Sequence, residues 1–359
     1  MNLDNVRRHR DMQRSWMTIR ARNAAHRTWL AAVLGAGVLM GSGCAHSTSA
    51  LEGEMRPIDG GRATPPAAPP FVETDEATTA QLEHVRAQGD AFAKELEWVR
   101  REESAASGDL AAGPYVITYL VTPVDDYYDL EAATASLPAH HDVVERGAAH
   151  IGVVVRDAAD GRLVQGLAIR AMLVPDGERG GTSATLRFGW HPILNRYGEN
   201  VVLPSKPFTL RLVIAPPTYA RHDSVNGRRF ADSVIAEFAN VTVPRDSLAG
   251  AARRFASGEP RSATELARGE GDAVRRSVDV MLARTTTRGT QRVGDYEVSV
   301  TTSRAKPQWA MRRGALQYDA LSADDTSNAH LEVVVREAAT GRVMSGLDVH
   351  ATVLDARGR

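Results

Sequence analysis

The sequence predicts an all-β chain, an antiparallel β-sandwich preceded by an amphipathic helix, with that unit repeated as a partial second copy. Three observations predict it. From residue 113 onward apolar residues recur with a period of two in short runs separated by Gly, Pro and Asp. Before them, over residues 76–103, one apolar stripe recurs at helical spacing. Residues 150–179 and 330–359 are identical at 13 of 30 positions at a constant offset of 180.

The chain opens with an export signal. Residues 1–43 carry seven Arg against two Asp, then an apolar run from Trp29 to Met40, then Gly41-Ser42-Gly43. As a helix that run is roughly 18 Å long, too short for a hydrocarbon core of ~30 Å. Residues 1–43 therefore read as a signal peptide. Cys44, the single cysteine, follows at once and has no partner for an internal disulfide. A lone Cys after an apolar run and small residues is similar to the bacterial lipoprotein cleavage site, which implies a lipidated Cys44 and a membrane anchor. The other reading is an ordinary signal peptide with an incidental Cys. Residues 44–75, with Pro57, Pro65, Pro66, Pro69 and Pro70, form a stiff tether.

Residues 76–245 make the complete module. Leu82, Val85, Phe92, Leu96 and Val99 form the helix stripe, with Gly89 filling the missing beat. The strands expected are 115–121, 151–155, 163–174, 184–188, 208–214 and 234–243, and Asp160-Gly161 reads as a hairpin turn. Such a set argues for a sandwich. Residues 246–359 are the second, truncated copy, in which Gly271 answers Gly89 and nothing answers residues 180–243. A sandwich lacking those strands exposes sheet edges, so the partial copy is expected either to be a truncation or to pack on the first module.

The overall charge of −1, from 43 basic and 44 acidic residues, gives no footprint for nucleic acid. No G-x-S-x-G motif and no Gly-rich phosphate loop occurs, so the chain is not expected to be an enzyme. Metal binding fits better. His150 begins a strand, His191 follows another, and His222 lies in Arg221-His222-Asp223 after the 208–214 strand. Loops at strand ends can bring three imidazoles together, with a carboxylate such as Asp223, to suit Fe(II), Cu or Zn. Each of these histidines also has a plain surface or capping reading. His140-His141 reads as a solvated loop.

Residues 150–223 resemble the bacterial periplasmic high-affinity ferrous-iron transport protein family. The resemblance is carried by His150-Ile151, Asn195-Arg196-Tyr197-Gly198-Glu199-Asn200-Val201, Phe208-Thr209-Leu210, Ile214-Ala215-Pro216-Pro217 and Arg221-His222-Asp223. It implies an immunoglobulin-like sandwich, a homodimer, and an Fe(II) or Cu ion captured outside the inner membrane and passed to an iron permease. The family's first and last histidine ligands carry over to His150 and His222. Its middle histidine falls on Arg196, no Met occupies its methionine position, and its acid two residues after the first His is Gly152 here but Glu332, after His330, in the second copy. His191 is the candidate replacement, giving His150, His191 and His222 as the metal set. The competing reading is a structural or adhesion-like sandwich lipoprotein that holds no metal.

Overall fold

The computed structural model describes residues 18–21, 71–124, 127–128, 139–140, 147–248, 260–285, 287–321, 329–347 and 349–353. Cys44 and nearly all of the expected signal peptide and tether lie outside them. The chain divides into two units. The first comprises Met1–Pro65, Leu130–Pro138 and Asp348–Arg359. Its described part is one antiparallel pair, β1 (Thr18–Ala21) with β17 (Val349–Thr352), Thr18 opposite Thr352. The second unit, Pro66–Asp129 with Ala139–Leu347, holds everything else.

In that unit the first copy begins with helix α1 (Thr79–Glu102). Its start is fixed by Gln81, whose side chain accepts the Thr78 backbone N–H at 3.1 Å. The strands are β2 (Ala106–Ala112), β3 (Tyr115–Thr122), β4 (Tyr127–Tyr128), β5 (Ala139–His140), β6 (Ala148–Asp157), β7 (Ile169–Pro175), β8 (Thr182–Gly189), β9 (Arg196–Val202), β10 (Phe208–Ile214) and β11 (Val234–Val241). Eight of them form one antiparallel succession, β11-β10-β7-β8-β9-β6-β3-β2. Strand β8 turns the corner: residues 182–186 pair with β7 and residues 187–189 pair with β9. The two halves fold over a shared core of Tyr115, Ile117, Ile151, Val153, Leu173, Phe208, Leu210 and Leu212. The expected all-β antiparallel sandwich is what forms.

One expectation needs correction. Residues 163–174 are not one strand: Leu163 makes a single bridge to Arg156, and the ladder of β7 starts at Ile169. Asp160-Gly161 does turn the chain back on itself, with Gly161 at φ +77° and the Val164 N–H donating to the Val155 carbonyl at 2.8 Å, but the returning arm pairs with β6 only briefly. After the turn the chain crosses to the other half of the sandwich, where it pairs with β10 and β8. Strand alternation cannot reveal this, because both layers draw on the same apolar residue types.

Strand β6 is buried nearly end to end. Its odd positions 151, 153 and 155 face the sandwich core. On its outer face Val154, with Leu120 of β3, is covered by Phe92, Leu96 and Val99 of α1 and by Ile193 and Leu194. Each such side chain contributes roughly 1.5–3 kcal/mol on full burial. Gly89 is needed for this seating, since a Cβ there would stand 1.8 Å from the Asp160 carbonyl oxygen. The helix backbone therefore rests directly on the turn.

The second copy repeats these parts. Helix α2 (Pro260–Ala283) is followed by β12 (Thr287–Val293), β13 (Tyr296–Arg304), the hairpin β14 (Gln308–Arg312) and β15 (Ala315–Asp319), and β16 (Ala329–Glu337). Strands β12-β13-β16 make a three-stranded sheet. A Cβ on Gly271 would stand 1.8 Å from the Thr340 carbonyl oxygen, the same seating of helix on turn. The partial copy packs on the first, α1 against α2. Among the described residues no helix is long and apolar enough to cross a membrane.

Replacing Gly89 or Gly271 by Ala should destabilise the intact chain by roughly 2–3 kcal/mol, the cost of overpacking against a backbone that cannot give way. Gly269→Ala, where an added Cβ meets nothing within 4 Å, should instead stabilise by about 0.5–1 kcal/mol. Urea denaturation midpoints at constant slope check both.

Candidate functional site

His150 stands on the outer face of β6, between Thr122 of β3 and Asn200 of β9, and is 2% exposed. Its Nδ1 lies 3.2 Å from the Asn200 amide oxygen, which can only accept, so Nδ1 carries the proton. The other edge of the ring lies flat on Gly198, where a Cβ would come within 2.2 Å of Nε2. That glycine exists to seat the imidazole. Arg196, 4% exposed, lays its side chain over Gly152, where a Cβ would meet Cδ at 2.9 Å. The position that would carry an acid thus carries a guanidinium resting on a glycine.

His191 opens the turn between β8 and β9. Its backbone N–H donates to the Asn195 amide oxygen at 3.0 Å, and its Nδ1 accepts the N–H groups of Ile193 and Leu194 at 3.3 Å each. Burial, then the charges of Arg196 and Arg342 and the neighbouring His150, push its pKa down to about 3. The ring is a neutral turn cap. His150 and His191 are therefore neighbours, but each is committed to its surroundings and both sit beside arginine.

His222 is elsewhere. Arg221 and Trp309 exchange backbone hydrogen bonds at 2.8 and 2.7 Å, which joins the first copy to the β14–β15 hairpin of the second. One step along, His222 Nδ1 donates to the Pro307 carbonyl at 3.3 Å. That bond fixes the tautomer and leaves Nε2 with its lone pair. The ring meets His330 edge to face, centroids 4.4 Å apart. The predicted convergence of His150, His191 and His222 is thereby corrected: among the described residues no three His, Cys, Asp or Glu side chains form a metal-binding group. His222 pairs across the repeat with His330, the counterpart of His150.

Glu332 follows two residues after His330 on β16, so both project from the same face. The His330 pKa is lowered by burial and by His222 and Lys306, with Glu332 and Glu76 acting the other way. Glu76 is bound to Lys306 at 2.9 Å. Asp223, the carboxylate expected beside the metal, is instead a turn anchor. It stands at φ +72° and accepts from Thr74, Asn226 and the Val225 and Asn226 amides. Burial raises its pKa, but the hydrogen bonds from Asn226 and Thr74 outweigh it and the net shift is downward.

The repeat carried the signal that His330 belongs with the site, since the offset of 180 places it on His150 and puts Glu332 where the first copy has Gly152. Its meeting with His222 had no signal in either segment.

No family model matches the chain, and no curated protein matches it. Among solved structures it is similar to FetP of uropathogenic E. coli strain F11, at 17% identity and a TM-score of 0.27, over 38% of this chain and 95% of that one. At that TM-score the likeness carries no weight for function, which rests on the side chains described above.

In a proton NMR titration of the intact protein, the His191 ring should show no protonation between pH 8 and pH 4. Because the unfolded chain takes up that proton at the ordinary value of ~6.5, the His191 contribution to stability should fall by about 1.4 kcal/mol per pH unit as pH drops from there toward 3, read as the difference in pH dependence between the wild type and His191→Gln.

Proposed function

We propose that the protein binds a transition-metal cargo, Fe(II) or Cu, at the His222–His330 pair. The observation that carries this reading is the pairing itself: two imidazoles 4.4 Å apart, one with Nε2 left available by the Pro307 bond. A metal ~2 Å from one nitrogen of each ring, bound at near a right angle, places ring centres roughly 4.5–5 Å apart, close to the 4.4 Å separation of this pair. Glu332 and Glu76 act on His330 electrostatically, but as folded neither joins the two rings in a three-residue metal group among the described residues, so the protein itself would supply the two imidazoles. Imidazole ligands suit Fe(II) or Cu, and an incompletely filled shell suits a carrier that must release its cargo.

The rest of the reading comes from the sequence. The basic, apolar and small-residue succession before Cys44 supports export and a lipid anchor at a bacterial membrane. The protein would capture the ion outside the inner membrane and deliver it to a permease without any catalytic step.

Equilibrium dialysis of the intact protein against Fe(II), under anaerobic conditions, and against Cu(II) tests this. His222→Ala and His330→Ala should each lower affinity at least tenfold, about 1.4 kcal/mol. His150→Ala and His191→Ala should change it little. Equal binding in all four variants would remove the site, and no binding by the wild type would favour a metal-free β module.

A further inference from the structure

Helix α1 buries an acid that neither the core nor the metal pair uses. Glu95 has 0% exposure, and neither carboxylate oxygen has a hydrogen-bond partner. The charged groups that act on it both come from the second copy: Glu270 on α2 and Arg342 in the turn after β16. Arg342 is 1% exposed and reaches into the first copy, donating to the carbonyls of Ile193 and His191 at 3.1 Å each. Glu337 stands 3.5 Å from it.

The repeat explains how Arg342 came to this role. Its counterpart Arg162 is tied at 2.8 Å to Asp160, two residues back. In the second copy that acid is Thr340, so the guanidinium is released to bridge the copies. His191, the remaining titratable group facing Arg342, is neutral. Fully ionised, the pocket would hold three carboxylates, Glu95, Glu270 and Glu337, against one arginine. Glu95 is the fully buried member of the three, and with one arginine shared among them it retains a proton rather than a charge.

We infer that a proton on Glu95 is the latch between the two copies: α1 stays packed on α2, with Arg342 bridging, while Glu95 is neutral, and the interface opens when it ionises. The latch concerns docking of the copies and stands whether or not a metal binds. Because His222 and His330 belong to different copies, it also governs their approach if the metal reading holds.

The sign follows from linkage. Burial first, then Glu270, raise the Glu95 pKa to about 9, and Arg342 opposes them. Burial likewise raises Glu270, again opposed by Arg342. An opened Glu95 titrates near the ordinary value of ~4.3. Between those values the closed form holds a proton that the open form lacks. The opening constant therefore grows about tenfold per pH unit from the ordinary value up to the raised one, then levels off.

The test is amide hydrogen exchange of α1 and α2 in the intact, metal-free chain between pH 7 and 8.5, corrected for the intrinsic exchange rate. In that range His191 no longer contributes. The wild type should show an opening constant rising about tenfold per pH unit. Glu95→Gln, neutral throughout, should flatten the rise and protect both helices more strongly at pH 8. A flat wild type, or an unchanged slope in Glu95→Gln, overturns the latch. Should Glu95→Gln not fold, Glu270→Gln serves: removing that charge should lower the pH at which the rise levels off, and an unmoved profile overturns the proposal. Metal dialysis of Glu95→Gln separates the two readings, since the latch predicts altered exchange even where no metal binds.

Discussion

A sheet layer that is apolar on both faces governs this molecule. The β3–β6 pair buries Ile117, Ile151, Val153 and Val155 inward and Leu120 and Val154 outward. The inward face calls for the opposing half of the sandwich, and the outward face calls for a helix. Close helix packing in turn demands a residue without a Cβ at the contact with the 160–161 turn, and Gly89 supplies it. The same chain of requirements runs through the second copy with Gly271 and the 340–341 turn.

The two copies diverge where they touch each other. In the first copy Asp160 keeps Arg162 at home, whereas Thr340 leaves Arg342 to grip the His191 turn across the interface. Gly152 admits Arg196, whereas Glu332 stands at the equivalent place beside His330. These differences polarise the tandem. The His150 side of the first copy is a buried packing site beside the Arg196 guanidinium. The His330 side carries an acid, Glu332, and meets His222.

Much of this was legible in advance. The helix over 76–103 forms as Thr79–Glu102, because its stripe and Gly89 encode both its period and its seating. The strands at 115–121, 208–214 and 234–243 form with small shifts at their ends. The expected strand at 163–174 forms only from Ile169, since a local pattern cannot say which sheet a strand will join. Strand β2, over Ala106–Ala112, is short in large apolar side chains and left little periodic signal.

The sequence by itself determined the repeat, the alternation of buried residues and the candidate ligand types, because these follow from local stereochemistry and composition. Only the tertiary structure decided which histidines meet. His222 and His330 are joined through the bridge between Arg221 and Trp309, a contact set by how one folded copy docks on another. Such a contact depends on matching surfaces that exist only after each copy has folded, so no spacing along the chain encodes it.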